Sequence, residues 1–227
     1  MIIKTNPKGL RRLPLTKTLA VLTATALFAA SVTAGEMVRY KARPLGSKVT
    51  IAGTSTIHDW TMDGQLIGGF LEVSAGVVFD QSKTTLPGLT GGKLDARVEA
   101  TIPVSSMKGQ WQGMDEPMQD AMNAKEYPNI QFKLFALTCK EPHVAGTPLE
   151  FEAKGELSLH GVTNTISLPV SIESVDKSRL KVVGKIPLKM TDFKVQPPVK
   201  LGVFRTGDEV TISFEWLVAQ PKTASPQ

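Results

Sequence analysis

The sequence contains few of the residues that carry redox, metal and catalytic chemistry. It has one cysteine, Cys139, and three histidines among 227 residues. A single cysteine cannot form a disulfide within the chain, so the hydrophobic core must stabilise the fold unaided. Aromatic residues make up 6% of the chain, which is too few for a surface that stacks single-stranded bases. No apolar run approaches the roughly 20 residues of a transmembrane helix, so we predict no membrane span.

The common enzyme motifs are also absent from the sequence. It has no G-x-S-x-G elbow, no Walker A loop, no dinucleotide fingerprint and no H-E-x-x-H pair. We therefore predict that the protein is not an enzyme and that it holds no cofactor and no metal.

The basic charge is concentrated at the amino terminus. The chain has 26 basic and 21 acidic residues. Five of the basic residues lie in the first 34 positions, which contain no acidic residue: Lys4, Lys8, Arg11, Arg12 and Lys17. Without them the balance is 21 against 21, so the remainder has no net charge to attract a polyanion, and we predict no nucleic-acid partner.

The same amino-terminal segment is typical of a signal peptide. Its basic region leads into an uncharged stretch over residues 18–30 and then into Val32-Thr33-Ala34, which has small residues where a signal peptidase requires them. We predict that residues 1–34 are a signal peptide removed on export, that residues 35–220 form one domain, and that residues 221–227 are a flexible tail.

Apolar and polar side chains alternate along most of the remaining chain, which is typical of strands with one buried face. The clearest predicted strands cover Leu94–Val104, Leu149–Leu159, Ile166–Ile172, Val182–Met190 and Val210–Val218, and weaker ones cover Val38–Ala42, Lys48–Ala52, Trp60–Glu72 and Ile130–Leu137. About eight such strands avoid exposed edges by closing into a barrel, whose interior can hold one small elongated ligand. We therefore predict an all-β fold with one short helix, an antiparallel β-barrel of about eight strands that encloses an apolar cavity.

One segment departs from the alternation and predicts a helix over Glu116–Ala124. Met114, Met118 and Met122 lie four residues apart, and acidic residues with a proline suit the first turn of a helix. Three interpretations of this methionine stripe stay open: a core-facing helix face, a lid over a pocket, or a copper site.

Three sequence blocks resemble a known family when they are taken together and in order. They are Gly53–Trp60 (GTSTIHDW), Tyr127–Phe132 (YPNIQF) and Gly155–Thr163 (GELSLHGVT). In this order they are similar to the signature blocks of the YceI family. The resemblance implies a periplasmic, lipocalin-like barrel that carries or sequesters a long polyisoprenoid or fatty-acid-type lipid without chemistry of its own. It also implies a homodimer.

The candidate ligand-binding residues come from strand parity and from these blocks. Alternation places six apolar side chains toward the barrel interior: Val98, Ile102, Phe132, Phe151, Leu157 and Leu168. By the same alternation Arg97, Glu99 and Glu152 face water. The blocks and the methionine stripe add His58, Trp60, Met118, Met122 and His160.

The two histidines within the blocks admit more than one interpretation. Each imidazole could bond to backbone at a strand end, contact a ligand head group, or bind a metal with Asp59. An alternative to the carrier is an enzyme that acts on the same kind of lipid through His58, Asp59 and His160.

Overall fold

The computed structural model describes residues 36–140 and 143–221 of the chain. The predicted signal peptide and nearly all of the predicted tail lie outside the described residues. The strands are β1 (Met37–Ala42), β2 (Lys48–Ser55), β3 (Trp60–Gly64), β4 (Gly68–Ser74), β5 (Lys93–Leu94), β6 (Ala96–Pro103), β7 (Lys108–Gly109), β8 (Asn129–Cys139), β9 (Leu149–Leu159), β10 (Val162–Asp176), β11 (Arg179–Lys189), β12 (Val199–Lys200) and β13 (Phe204–Ala219). The helix α1 covers Asp115–Ala121, and 3₁₀ turns cover Val104–Ser106 and Thr191–Phe193.

The strands form a closed antiparallel barrel with eight strand positions. They pair in the order β1, β4, β6, β8, β9, β10, β11 and β13, and β1 pairs with β13 to close the ring. β2 continues along the same edge of β13, since Ala42 lies opposite Val218 and Lys48 lies opposite Glu215. β1 and β2 are therefore two halves of one interrupted barrel strand. The predicted closed barrel is confirmed.

The next two barrel positions are interrupted in the same way. β4 pairs with β1 and β6, while β3 pairs with β2 and β7. The predicted single strand over Trp60–Glu72 is therefore wrong, because residues 65–67 separate β3 from β4. The break lets residues 60–74 pair with two sets of neighbours: β3 pairs with β2 and β7, whereas β4 pairs with β1 and β6.

The helix is present but ends earlier than predicted, at Ala121 rather than Ala124. Asn123 adopts a left-handed conformation with φ of 46°. The N–H of Asn123 donates to the carbonyl of Asp120, and the N–H of Ala124 donates to the carbonyl of Gln119, both at 2.9 Å. This pair of bonds is a Schellman motif, in which asparagine takes the place that glycine usually occupies. Within the described ranges no helix has the length and apolar character needed to cross a bilayer.

The two ends of the barrel differ. The end next to α1, here called the helix end, also carries the β2–β3 turn, the β9–β10 turn and the β12–β13 hairpin. The opposite end, here called the far end, is filled by the loop over residues 75–92. That loop buries Phe79 and Leu86 in the main core cluster, where the Phe79 ring meets the Phe151 ring edge-on at 6.5 Å between centroids. The far end is therefore closed by packed side chains.

Candidate functional site

The barrel encloses a cavity of about 130 Å³ whose wall exposes no polar atom. Twenty-two apolar side chains form this wall, and they come from β2, β4, β6, β8, β9, β10, β11 and β13 together with Ile67. On β10 the lining runs from Ile166 to Ile172, which is roughly 20 Å along the strand. Because barrel strands tilt by about 40°, the cavity extends about 15 Å along the barrel axis. Its shape is that of a narrow, wholly apolar channel.

The cavity is accessible from the helix end and closed at the far end. On β10 the lining residue nearest the helix end, Ile166, is partly exposed, whereas Ile172 is buried. On β13 Ile212 and Phe214 are partly exposed, whereas Trp216 is 3% exposed and its indole N–H donates to the carbonyl of Ile67 at 3.1 Å. The lining residues nearer the helix end are therefore more exposed than those nearer the far end.

On the opposite side of the helix end, α1 covers the barrel. Met118 and Met122 pack against a second buried cluster that includes Val104 and Leu159. This arrangement agrees with the core-facing interpretation of the methionine stripe. The helix α1 therefore packs over the barrel end beside β8 and β9.

An ion pair ties the first turn of α1 to β7. The Asp115 carboxylate accepts the backbone N–H of Gly109 at 2.7 Å and the Lys108 ammonium at 2.9 Å. The Gly109 bond, followed by the Lys108 bond, lowers the pKa of Asp115 below its ordinary value. An acidic residue in this position also interacts favourably with the partial positive charge at a helix amino terminus.

Glycines on the inward face make room for aromatic rings that lie flat against the wall. A Cβ added at Gly184 would lie 2.5 Å from Phe214 Cζ and 3.2 Å from Val170 Cγ1. The Phe132 ring covers Gly155 in the same manner. Side chains at these two glycines would push the rings toward the centre, so the glycines help to keep the cavity open. This feature was missed at the sequence level, although an inward-parity glycine within an apolar alternation is a signal for it.

Five of the predicted ligand-binding residues line the cavity: Val98, Ile102, Phe132, Leu157 and Leu168. The outward prediction holds for Arg97 and Glu99, which are exposed, and Glu152 is half-buried through its bond from the Ser167 hydroxyl. The binding role of the five lining residues stays a prediction.

The other apolar candidates lie away from the wall. Phe151 has the expected inward parity but is fully buried against Phe79 beyond the closed end of the cavity. Met118 of α1 and Met122, which follows α1, pack against the second buried cluster and do not line the cavity. Trp60 covers Gly53 at the helix end, and its indole N–H donates to the carbonyl of Thr54 at 3.0 Å.

Both block histidines have a ring nitrogen bonded to a backbone carbonyl. His160 sits in the β9–β10 turn with φ of 51°, and its Nδ1 lies 3.2 Å from the Phe193 carbonyl. His58 is exposed, and its Nδ1 lies 3.0 Å from the Asp59 carbonyl. Its ring contacts the Trp111 ring at 4.1 Å between centroids, with the two planes inclined at 49°. Neither histidine lines the cavity.

The described residues offer no metal site built from histidine, cysteine and carboxylate side chains. No group of three or more such residues in residues 36–140 and 143–221 is arranged to hold an ion. His58 and Asp59 lie in the β2–β3 turn, whereas His160 lies in the β9–β10 turn. The apolar candidates on the barrel strands therefore meet in the cavity wall, whereas His58, Asp59 and His160 lie in two separate turns outside it.

Comparisons with known proteins agree with this architecture. The model of the YceI-like domain matches residues 40–217. BcnA of Burkholderia cenocepacia, a crystal structure, is similar with 20% identity and a TM-score of 0.55, over 75% of this chain and 95% of that one. A domain from Saccharophagus degradans is similar with 14% identity and a TM-score of 0.56, over 82% of this chain and 100% of that one. It is described as a polyisoprenoid binding domain implicated in plant cell wall breakdown. No curated protein sequence matches the chain.

Proposed function

Because the chain belongs to the YceI-like domain family, we propose that it is an exported, periplasmic protein that carries or sequesters a long-chain polyisoprenoid or related lipid inside its barrel. The observation that carries this proposal is the enclosed channel whose wall exposes no polar atom. Export rests on the signal-peptide pattern of residues 1–34.

The energetics of the channel favour a flexible hydrocarbon. Each CH₂ group moved from water into an apolar site contributes roughly 0.8 kcal/mol. A polar group placed in the same channel would find no hydrogen-bond partner on the wall and would cost free energy. The head group of a bound lipid therefore belongs at the helix end, where the lining is partly exposed, and the tail belongs toward Trp216.

The polyisoprenoid class is proposed from similarity, because the apolar wall alone accepts any hydrocarbon of suitable width. The Saccharophagus degradans domain is described as binding a polyisoprenoid. Branched isoprenoid chains are wider than straight alkyl chains. The two inward glycines under Phe132 and Phe214 support a branched ligand, since they widen the channel where the rings lie.

Binding without catalysis is supported by the position of the polar groups. A lipid tail in the channel contacts carbon atoms only. The ring nitrogens of His58 and His160 that bond to backbone carbonyls serve local turns. This arrangement supports a carrier over an enzyme that acts through His58, Asp59 and His160.

Mass spectrometry of lipid extracted from the natively purified protein tests the proposal. We expect a single class of long-chain lipid in a near-stoichiometric amount. The delipidated protein is then incubated with that lipid class, and the lipid is recovered and weighed again by mass spectrometry. An unchanged mass supports a carrier. Absence of lipid from the native protein, or a product of altered mass after incubation, would refute it.

A further inference from the structure

Exposed apolar side chains are concentrated on one part of the helix end. Six of the twelve large apolar residues that are exposed in the described ranges lie on the β12–β13 hairpin, the β2–β3 turn and the segment before α1. We call them the tip patch, and they are Ile57, Trp111, Val199, Leu201, Val203 and Phe204. Single exposed apolar residues are common on protein surfaces, but a cluster of this kind marks an interaction site.

The tip patch is held together by contacts between its three segments. The N–H of Thr56 donates to the Arg205 carbonyl at 3.0 Å, and the N–H of Arg205 donates to the Thr56 hydroxyl at 3.1 Å. These bonds fix the β2–β3 turn beside the hairpin. The ring of His58 contacts the tilted Trp111 ring at 4.1 Å between centroids, which joins the third segment to the other two.

The exposure and the backbone conformation of Leu201, at the hairpin tip, are both unfavourable to the stability of the free protein. It is 80% exposed, and its φ of 53° lies in the left-handed region. Glycine or asparagine takes this conformation more easily, because the Cβ of other residues crowds the backbone carbonyl oxygen there. A large apolar residue that is both exposed and held in this conformation gains nothing from the fold of the isolated chain. Its apolar surface is available for an outside contact.

The β12–β13 hairpin, which supplies four of the six tip-patch residues, is basic. The sequence from residue 193 to residue 207 contains Lys194, Lys200 and Arg205 and no acidic residue. The neighbouring acidic residues are Asp192 and Asp208, which border this segment, and Asp59 in the β2–β3 turn. The Asp208 carboxylate accepts bonds from the backbone N–H and the hydroxyl of Thr191 at 2.9 and 2.7 Å. Apolar side chains flanked by basic residues match an anionic bilayer, which offers a hydrocarbon layer beneath negative head groups.

We propose that the tip patch docks the protein onto an anionic membrane surface. The patch lies at the helix end, at the ends of β2 and β13, whose lining residues Ile51, Ile212 and Phe214 are partly exposed. Docking would therefore direct the accessible end of the cavity toward the bilayer, a consequence that rests on the proposed lipid-carrier function. Binding to vesicles does not rest on it.

Vesicle flotation with the delipidated mature protein tests the proposal. We expect binding to mixed phosphatidylglycerol and phosphatidylcholine vesicles and much weaker binding to phosphatidylcholine alone. Leu201→Asn should weaken binding about tenfold, because it removes one buried leucine's contribution from the interface. Asparagine also suits the left-handed conformation at this position, so the variant keeps the fold. Leu45→Asn is the matched control, since Leu45 is 78% exposed in the β1–β2 connection, and it should bind like the parent.

The basic residues are tested separately with Lys194→Gln combined with Arg205→Gln. Each basic charge near an anionic surface contributes enough for roughly a fivefold change in binding, so the double variant should lose most of its preference for phosphatidylglycerol. Equal binding by the parent and Leu201→Asn would overturn the proposal, as would equal binding to both vesicle types. Concentration-dependent dimerisation that Leu201→Asn abolishes, without vesicle binding, would assign the patch to a second copy instead. Vesicle binding by protein that takes up no lipid would refute the carrier function alone.

Discussion

Substitution Val98→Trp tests whether the barrel interior is a ligand site. Val98 lies on β6 opposite Leu71 of β4, and both side chains line the cavity. Its neighbours of the same parity, Ala96 and Ala100, are small. An indole at this position has one free space to enter, which is the cavity itself.

The size of the effect follows from the atoms that are added. Tryptophan has about seven more non-hydrogen atoms than valine, which would displace a similar number of ligand carbons and remove about 5 kcal/mol of transfer free energy. That loss corresponds to an affinity more than a thousandfold lower. In a fully packed core the same change would instead lower the free energy of unfolding by roughly 1–3 kcal/mol through overpacking.

The assay combines lipid content with thermal unfolding of the delipidated protein. We expect Val98→Trp to unfold near the parent temperature and to copurify with no lipid. Arg97→Trp is the matched control, because Arg97 is exposed on the other face of the same strand and adds the same indole outside the barrel. It should keep its lipid. A Val98→Trp variant that unfolds normally and retains its full lipid content would refute the assignment of this strand face to the ligand site.

Three further predictions concern the wall, the histidines and export. Gly184→Ala should push the Phe214 ring into the cavity by about 1 Å, because ordinary carbon contacts are at least about 3.5 Å, and should reduce lipid affinity measurably in a displacement titration with little change in fold by circular dichroism. His58→Gln combined with His160→Gln should cost about 1 kcal/mol of unfolding free energy per lost hydrogen bond and retain lipid, whereas complete lipid loss would place the imidazoles in the binding site. Amino-terminal sequencing of the exported protein should begin at Gly35, and an intact Met1 there would contradict the signal peptide.

Strand alternation was sufficient to predict the barrel because each barrel strand has one buried face. On β9 the buried residues run from Leu149 to Leu159 at every second position, as the sequence pattern requires. The same parity identified Val98, Ile102 and Leu168 as lining residues, since position on a strand determines which face a side chain takes.

Parity alone could not determine how far the cavity extends along each strand. Phe151 and Leu157 share a face of β9, yet Leu157 lines the cavity while Phe151 packs against Phe79. The difference depends on the loop over residues 75–92, which fills the far end and is distant from β9 in sequence. Likewise, the interruption between β3 and β4 depends on which strands each half pairs with, and those pairings are long-range.

The three sequence blocks contribute turns at the helix end, and the second and third blocks also contribute Ile130, Phe132 and Leu157 to the cavity wall. Tyr127 covers Gly161, where an added Cβ would lie 2.5 Å from its ring, and its ring centroid is 6.0 Å from that of His160. His160 is in turn bonded to the Phe193 carbonyl. The second and third blocks thus meet at one turn and fix the position of the 3₁₀ turn before the β12–β13 hairpin. The blocks therefore specify turns around the cavity entrance and a small part of the wall. Most of the wall comes from apolar residues outside the blocks, and such residues are interchangeable when volume and pattern are kept, so the blocks identify the fold more directly than the ligand.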